Sequence, residues 1–277
     1  MDEISRARKI ASLTVEQADQ LKLISVGATF VFRYYGQAIR VSGPQLPTKL
    51  VSQGVAFADY LFSKGARVLG PLAPIEIVAN RVVSRWPYVE GGRMQVEEID
   101  FKQLGRDLRK LHQISDDYQG PLWRWSATEL AERRLKRVFS NRELDSKQVE
   151  RLAQLFREAA EEITVESHLG VGPVHMDAGF WNLLNTDDGP RWVDFDDACI
   201  APREFDLLAN QGQRLSTVQK REFTQGYGYS IVDWTQLESI RRFKHLSHLT
   251  YFLGLSHGQN YHEYKNQRLP DLLAAQD

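Results

Sequence analysis

The sequence predicts an α+β protein: a small antiparallel sheet toward the N-terminus, then a larger, mainly helical remainder. Three observations carry this. Ile24 to Val41 mixes β-branched and aromatic residues around Gly27 and Gly36, the composition of strands joined by glycine-containing turns. From Val96 onward apolar residues recur at helical spacing. With 277 residues the chain exceeds what one small core organises, so one large domain or two lobes is expected.

The elements follow in order. Leu13 to Leu23 reads as a short helix, with Thr14 as N-cap and Gln17 completing a capping box. Ile24 to Val41 supplies the first strands. Val51, Val55, Ala58, Leu61 and Phe62 then share a helical face that Gly65 stops. Ile75 to Tyr88 alternates apolar and polar residues and predicts two more strands. Phe101, Leu104, Leu108 and Leu111 mark a helix ending near His112, and Val149, Leu152, Leu155, Phe156 and Ala159 mark another after Asp145. Val171 to Val174 is a short apolar run. Asn182 to Asn185 and Arg191 to Phe195 flank the turn-formers Thr186 to Pro190, which predicts a hairpin. The stretch from Thr217 to Tyr264 reads mainly helical, and no internal repeat is present.

Composition excludes several classes. Thirty-five Lys and Arg against 36 Asp and Glu leave a formal charge of -1, so neither nucleic acid nor an anionic membrane is an expected partner. Hydrophobic and charged contents of 42% and 26% are those of an ordinary globular chain. The single cysteine, Cys199, excludes an intramolecular disulfide and a cysteine-rich zinc site. The N-terminal stretch carries charges throughout and no continuous apolar run, unlike a secretory signal or membrane anchor. A cytoplasmic location is the expectation, and oligomeric state is left open.

The most specific segment runs from Val174 to Asp206, VHMDAGFWNLLNTDDGPRWVDFDDACIAPREFD. Phosphoryl transfer needs a carboxylate to orient and deprotonate a hydroxyl, and hard oxygen ligands to hold a divalent ion against phosphates. The segment offers Asp177, Asn182 five residues on, and Asp194 across the predicted hairpin, with Asp196 on the same face if the strand stays extended.

His175-x-Asp177, Asn182, Asp194-Phe195-Asp196 and the trailing Pro202 to Asp206 together resemble the aminoglycoside phosphotransferase and choline kinase-like family. The resemblance spans most of the chain. It implies a bilobal protein-kinase-like fold, with a nucleotide-covering lobe over residues 1–86 and a catalytic and acceptor-binding lobe over 87–277. It implies ATP, or GTP, with Mg2+ as cofactors and a small hydroxylated molecule as acceptor. Asp177 takes the place of the catalytic base, Asn182 and Asp194 of metal ligands, and Asp196 of a contact to a second ion. His175 and Asp206 take supporting places that steady the catalytic loop. Gly27 and Thr29 fall where the family has its phosphate-covering turn, Arg40 where it has a strand lysine, and Trp86 and Tyr88 where the lobes join and adenine binds. One departure stands out: the helix glutamate that normally pairs with the strand cation has only Gln53 and Gly54 nearby, with Asp59 more than a turn on.

Past Cys199 acidic and basic residues are nearly balanced, which argues against a polycationic acceptor. Tyr227, Tyr229, Trp234, His245, Tyr251 and Tyr261, with His248 and His257, are candidates to line a pocket for a neutral or zwitterionic compound. Two other readings stay open: a serine/threonine protein kinase of the stress-response type, and a nucleotide-binding protein without catalysis.

Overall fold

The computed structural model describes residues 2–164, 166–212, 214–255 and 259–274. Helix α1 (Glu3–Ser12) begins at Asp2, whose carboxylate accepts from Ser5 N at 2.8 Å, an N-cap that satisfies one of the helix's orphan donors. The helix expected over Leu13 to Leu23 is therefore displaced toward the N-terminus. Thr14 Oγ1 donates back to Ala11 O at 2.9 Å and closes α1 instead of opening another helix. A single 3-10 turn, Ala18–Gln20, leads into the first strand.

Strands β1 (Lys22–Val26), β2 (Thr29–Tyr34) and β3 (Gln37–Ser42) follow as expected, then helix α2 (Thr48–Ser63) and strands β4 (Glu76–Val78) and β5 (Arg81–Pro87). They form an antiparallel sheet in the order β1-β2-β3-β5-β4. Alternation gives the sheet two faces. Phe30, Phe32, Ile39, Val41 and Val83 are buried with Ala7, Ile10 and Ala11 of α1. The intervening Arg40, opposite Ser84 in β5, faces away from α1.

Beyond the sheet come α3 (Phe101–Ser115), the short β6 (Trp123–Arg124), α4 (Ala127–Ser140), α5 (Ser146–Glu161) and β7 (Val171–Val174). Next are β8 (Leu183–Thr186) and β9 (Gly189–Trp192), then β10 (Cys199–Pro202), α6 (Glu204–Ala209), α7 (Thr217–Tyr227) and α8 (Leu237–Leu255). The fold class read from the sequence, an N-terminal antiparallel sheet followed by a mainly helical part, is the one observed. β8 and β9 make the predicted hairpin with a tighter turn: Thr186 pairs with Gly189, and Val193 to Phe195 lie outside the ladder. β10 lies between β6 and β7, and its Cys199 is fully buried. Among the described residues no helix is long and apolar enough to cross a membrane.

By its contacts the chain divides into two compact units, residues 1–124 with 167–231 and residues 125–166 with 232–277. The second is a helical unit in which α4, α5 and α8 bury Leu135, Phe156, Phe243 and Leu253, with the Phe156 and Phe243 rings 5.1 Å apart. The first holds the sheet and the whole Val174 to Asp206 segment. Within it α3 and α7 pack backbone to backbone: a Cβ on Gly105 would lie 2.2 Å from Phe223 O, and one on Gly226 would lie 2.0 Å from Lys102 O. This contact sets His112 of α3 beside Tyr227 of α7. We expect Gly226→Ala to force the helices apart and cost about 1–3 kcal/mol, the usual range for overpacking, read as a lowered urea midpoint at an unchanged slope.

Candidate active site

The loop after β7 is held by one carboxylate. Asp206, fully buried on α6, accepts from His175 N at 2.9 Å, Met176 N at 2.6 Å and His112 Nε2 at 2.9 Å. Met176 has a φ of 74°, a left-handed conformation that costs a non-glycine residue about 1–2 kcal/mol. The two backbone bonds to Asp206 hold the chain just before that bend. Burial opposes the charge on Asp206, yet the His112 hydrogen bond and the other donors outweigh it and keep the carboxyl below its ordinary 3.8. With His112 Nε2 donating to the carboxylate, Nδ1 accepts from Tyr227 Oη at 2.8 Å. Burial pushes the Tyr227 phenol above its ordinary value, so it remains a donor.

Four residues along from Asp206, Asn210 fixes the next part of the loop. Its Nδ2 donates to Ala178 O at 2.7 Å and its Oδ1 accepts from Phe180 N at 3.2 Å. His175 ties the loop to the segment after the hairpin. Its Nδ1 accepts from Asp177 N at 3.3 Å, its Nε2 donates to Val193 O at 2.9 Å, and its ring lies 4.3 Å from that of Phe195.

These anchors bring the candidate residues together. Asn182 Nδ2 donates to Asp177 Oδ2 and to Asp177 O, both at 2.9 Å. Val193 N donates to Asn182 O at 3.0 Å, which sets Asp194 one residue from Asn182's backbone. Trp181 Nε1 lies 3.2 Å from Asp177 Oδ2 and 3.3 Å from Oδ1. With its amide nitrogen on Asp177, Asn182 has its amide oxygen left as a donor to a hard cation. Asp194, its side chain 43% exposed, accepts from Arg40 through Oδ1 and so has Oδ2 to offer. Among the described residues no three His, Cys, Asp or Glu side chains gather as a metal site. One carboxylate and one amide oxygen nevertheless fit magnesium, which usually takes its other ligands from phosphates and water.

Asp194 has a φ of 71°, so the extended strand expected through Asp196 is absent and simple alternation does not apply. The turn sends Asp196 toward the sheet. Its Oδ2 accepts from Thr29 Oγ1 at 2.9 Å and from Arg40 Nη2 at 2.9 Å, and the same Nη2 reaches Asp194 Oδ1 at 2.7 Å. Burial pushes the Asp196 carboxyl up to about 6, against the pull of Arg40 and with the charge of Asp194 adding to the rise. At Asp194 the surrounding protein also disfavours charge, but Arg40, by its charge and its hydrogen bond, holds that carboxyl below 3.8.

The remaining sequence candidates are placed differently. Gly27 has room for a side chain, its Cβ position meeting only Thr29 O at 3.9 Å, so the protein itself does not require glycine there. Trp86 is buried, donates to Ser84 Oγ at 2.9 Å and sits 5.9 Å beneath the Arg40 guanidinium. Tyr88 N is already bonded to Gly36 O at 2.9 Å, and its ring carries Arg33 at 4.3 Å. Of the aromatic candidates for a pocket, Tyr227, Trp234 and Tyr261 are core residues. His245 and His248 are exposed, and His257 lies outside the described residues. Trp181, Asn210 and His112 were missed in the sequence. Only Asn210 left a signal, its helical spacing from Asp206.

A family description, "phosphotransferase enzyme family", matches residues 47–252. The chain belongs to this phosphotransferase family. No match was found among curated proteins. Several solved structures share the protein-kinase-like fold of this phosphotransferase. An amicoumacin kinase, hAmiN, in complex with AMP-PNP, Ca2+ and Ami, has a TM-score of 0.72 and 16% identity, over 99% of this chain and 92% of its own. The choline kinase LicA from Streptococcus pneumoniae has a TM-score of 0.65 and 14% identity, over 99% of both chains. A spectinomycin phosphotransferase in complex with ADP and spectinomycin has a TM-score of 0.61 and 16% identity, over 91% of this chain and 87% of its own.

The depressed Asp206 carboxyl makes an acid-side prediction. Its stabilising contribution is complete at neutral pH, above its unfolded value near 3.8, and is lost as pH falls through the lower folded value. Urea midpoints measured from neutral pH to about pH 3 should fall on the acid side in the wild type. Asp206→Asn should start from a lower midpoint and fall less steeply.

Proposed function

We propose that this phosphotransferase transfers the γ-phosphate of ATP to a hydroxyl of a small neutral or zwitterionic molecule, with magnesium as the ion. The bond between Asp177 and Asn182, in a loop tied to the segment that carries Asp194, is the observation that supports this most. Asp177 accepts the proton of the acceptor hydroxyl as its oxygen attacks phosphorus, general base catalysis worth about 10²–10⁴ in rate. Asn182 and Trp181 hold the Asp177 carboxylate in one rotamer, which reduces the reorganisation required at the moment of transfer. Asp194 and the Asn182 amide oxygen hold magnesium, which when bound offsets charge on the transferring phosphoryl group. Arg40 keeps Nε and Nη1 clear of protein acceptors among the described residues, so its planar fork can meet phosphate oxygens. The lone cysteine suits the reducing cytoplasm, where we place the reaction.

The near balance of acidic and basic residues past Cys199 favours an acceptor without several positive charges. ADP release is the direct assay, with a panel of sugars, amino alcohols, antibiotics and peptides as acceptors and ATP or GTP as donor. The expected outcome is turnover with a small hydroxylated compound and none with peptides. Phosphate transferred to protein acceptors alone would overturn the reading. Asp177→Ala should retain the wild-type circular dichroism spectrum and lose roughly 10²–10⁴ in kcat on whichever acceptor is found.

A further inference from the structure

We infer that Asp196 is the fixed counter-ion of Arg40, taking the place of the carboxylate that helix α2 lacks, and that it positions the guanidinium for the nucleotide's phosphates. This rests on the kinase reading above and deepens it. The helix offers Arg40 no partner. Gln53 is buried with its Oε1 unpaired, and Asp59 is exposed to solvent. Gly54 cannot become a carboxylate, since even a Cβ there would lie 2.1 Å from Phe195 O. The helix backbone thus sits directly on the segment that carries Asp194 and Asp196, and the charge that a side chain would bring comes from that segment instead.

Exposure separates the two aspartates that share Arg40. The side chains of Arg40 and Asp196 are 14% and 15% exposed, against 43% for Asp194. A buried partner stays with its cation because separation would leave an uncompensated charge in the protein. Asp194, nearer water, can exchange Arg40 for another cation. Thr29 Oγ1 bonds the same Oδ2 of Asp196 that Arg40 uses, so the start of β2 and the central strand residue are joined through one oxygen. The Trp86 ring beneath the guanidinium limits the remaining freedom. Asp196 is therefore a positioning residue for Arg40, and its carboxylate is engaged without an ion.

Nucleotide binding in EDTA tests this, because Arg40 meets phosphate without metal whereas a metal ligand matters only when metal is present. Asp196→Asn keeps the size of the side chain and an acceptor for Thr29. Binding of a fluorescent ATP analogue in EDTA should weaken about tenfold in this variant, as expected when an aligned charge-assisted contact is lost. It should weaken no further when Asp196→Asn is added to Arg40→Met. Removing a negative charge near a polyanion otherwise tightens binding, so unchanged or tighter binding in EDTA overturns the inference, as does an additive effect in the double variant. A second cycle follows urea unfolding of the nucleotide-free protein, where the double variant's midpoint should lie above the level set by the two single shifts combined; an additive midpoint overturns the pairing. If the wild type binds no nucleotide even with magnesium restored, the kinase reading fails, while this unfolding cycle still decides the pairing.

Discussion

The buried Asp206 carboxylate is the constraint on which the site's geometry depends. It gathers two successive backbone amides and a histidine, holding Met176 in a backbone conformation that the chain would otherwise leave. Loss of the carboxylate would leave buried donors unsatisfied, a cost larger than the net gain of making the bonds. The scaffold behind it reaches far in sequence. The α3–α7 contact brings His112 to Asp206 and Tyr227 to His112, so two helix backbones packed at glycines determine where a loop on another element can bend.

From this anchor the arrangement propagates through short links. Asn182 bonds the Asp177 side chain, Val193 bonds the Asn182 backbone, and His175 bridges the loop to Val193. Each link leaves the next little freedom: backbone bonds place the segments of residues 177 and 194, and Asn182, Trp181 and Arg40 hold the carboxylates themselves. Such preorganisation is what phosphoryl transfer draws on, since the reaction is governed by position and electrostatics.

Much of the architecture was legible in the sequence because apolar periodicity reports which face is buried. The sheet strands, α2, α3 and α5 all follow from it. The first helix was misplaced because Thr14 looks like a start signal but serves as a stop, a distinction that lies in which carbonyl its hydroxyl reaches. Helix α4 went unread although Leu130, Leu135 and Val138 mark its face and Ser126 caps it. The hairpin's bounds shifted because Thr186 and Pro190, both turn-formers by type, pair with Gly189 and Asn185 inside the ladder. Within the site, Asp177, Asn182 and Asp194, which the fold brings together, were singled out in the sequence, but the positive φ at Asp194 and the indole of Trp181 on Asp177 were not readable. Both depend on long-range contacts that no local spacing encodes.

The seat of Gly54 on Phe195 O bears on control as well as on assembly. Protein kinases switch by swinging a helix so that its glutamate reaches or abandons the strand cation. Here the helix has no such lever to withdraw, and the cation's partner travels with the segment underneath. A swing of α2 would carry no carboxylate away from Arg40, and it would have to break the close packing of Gly54 on Phe195 O.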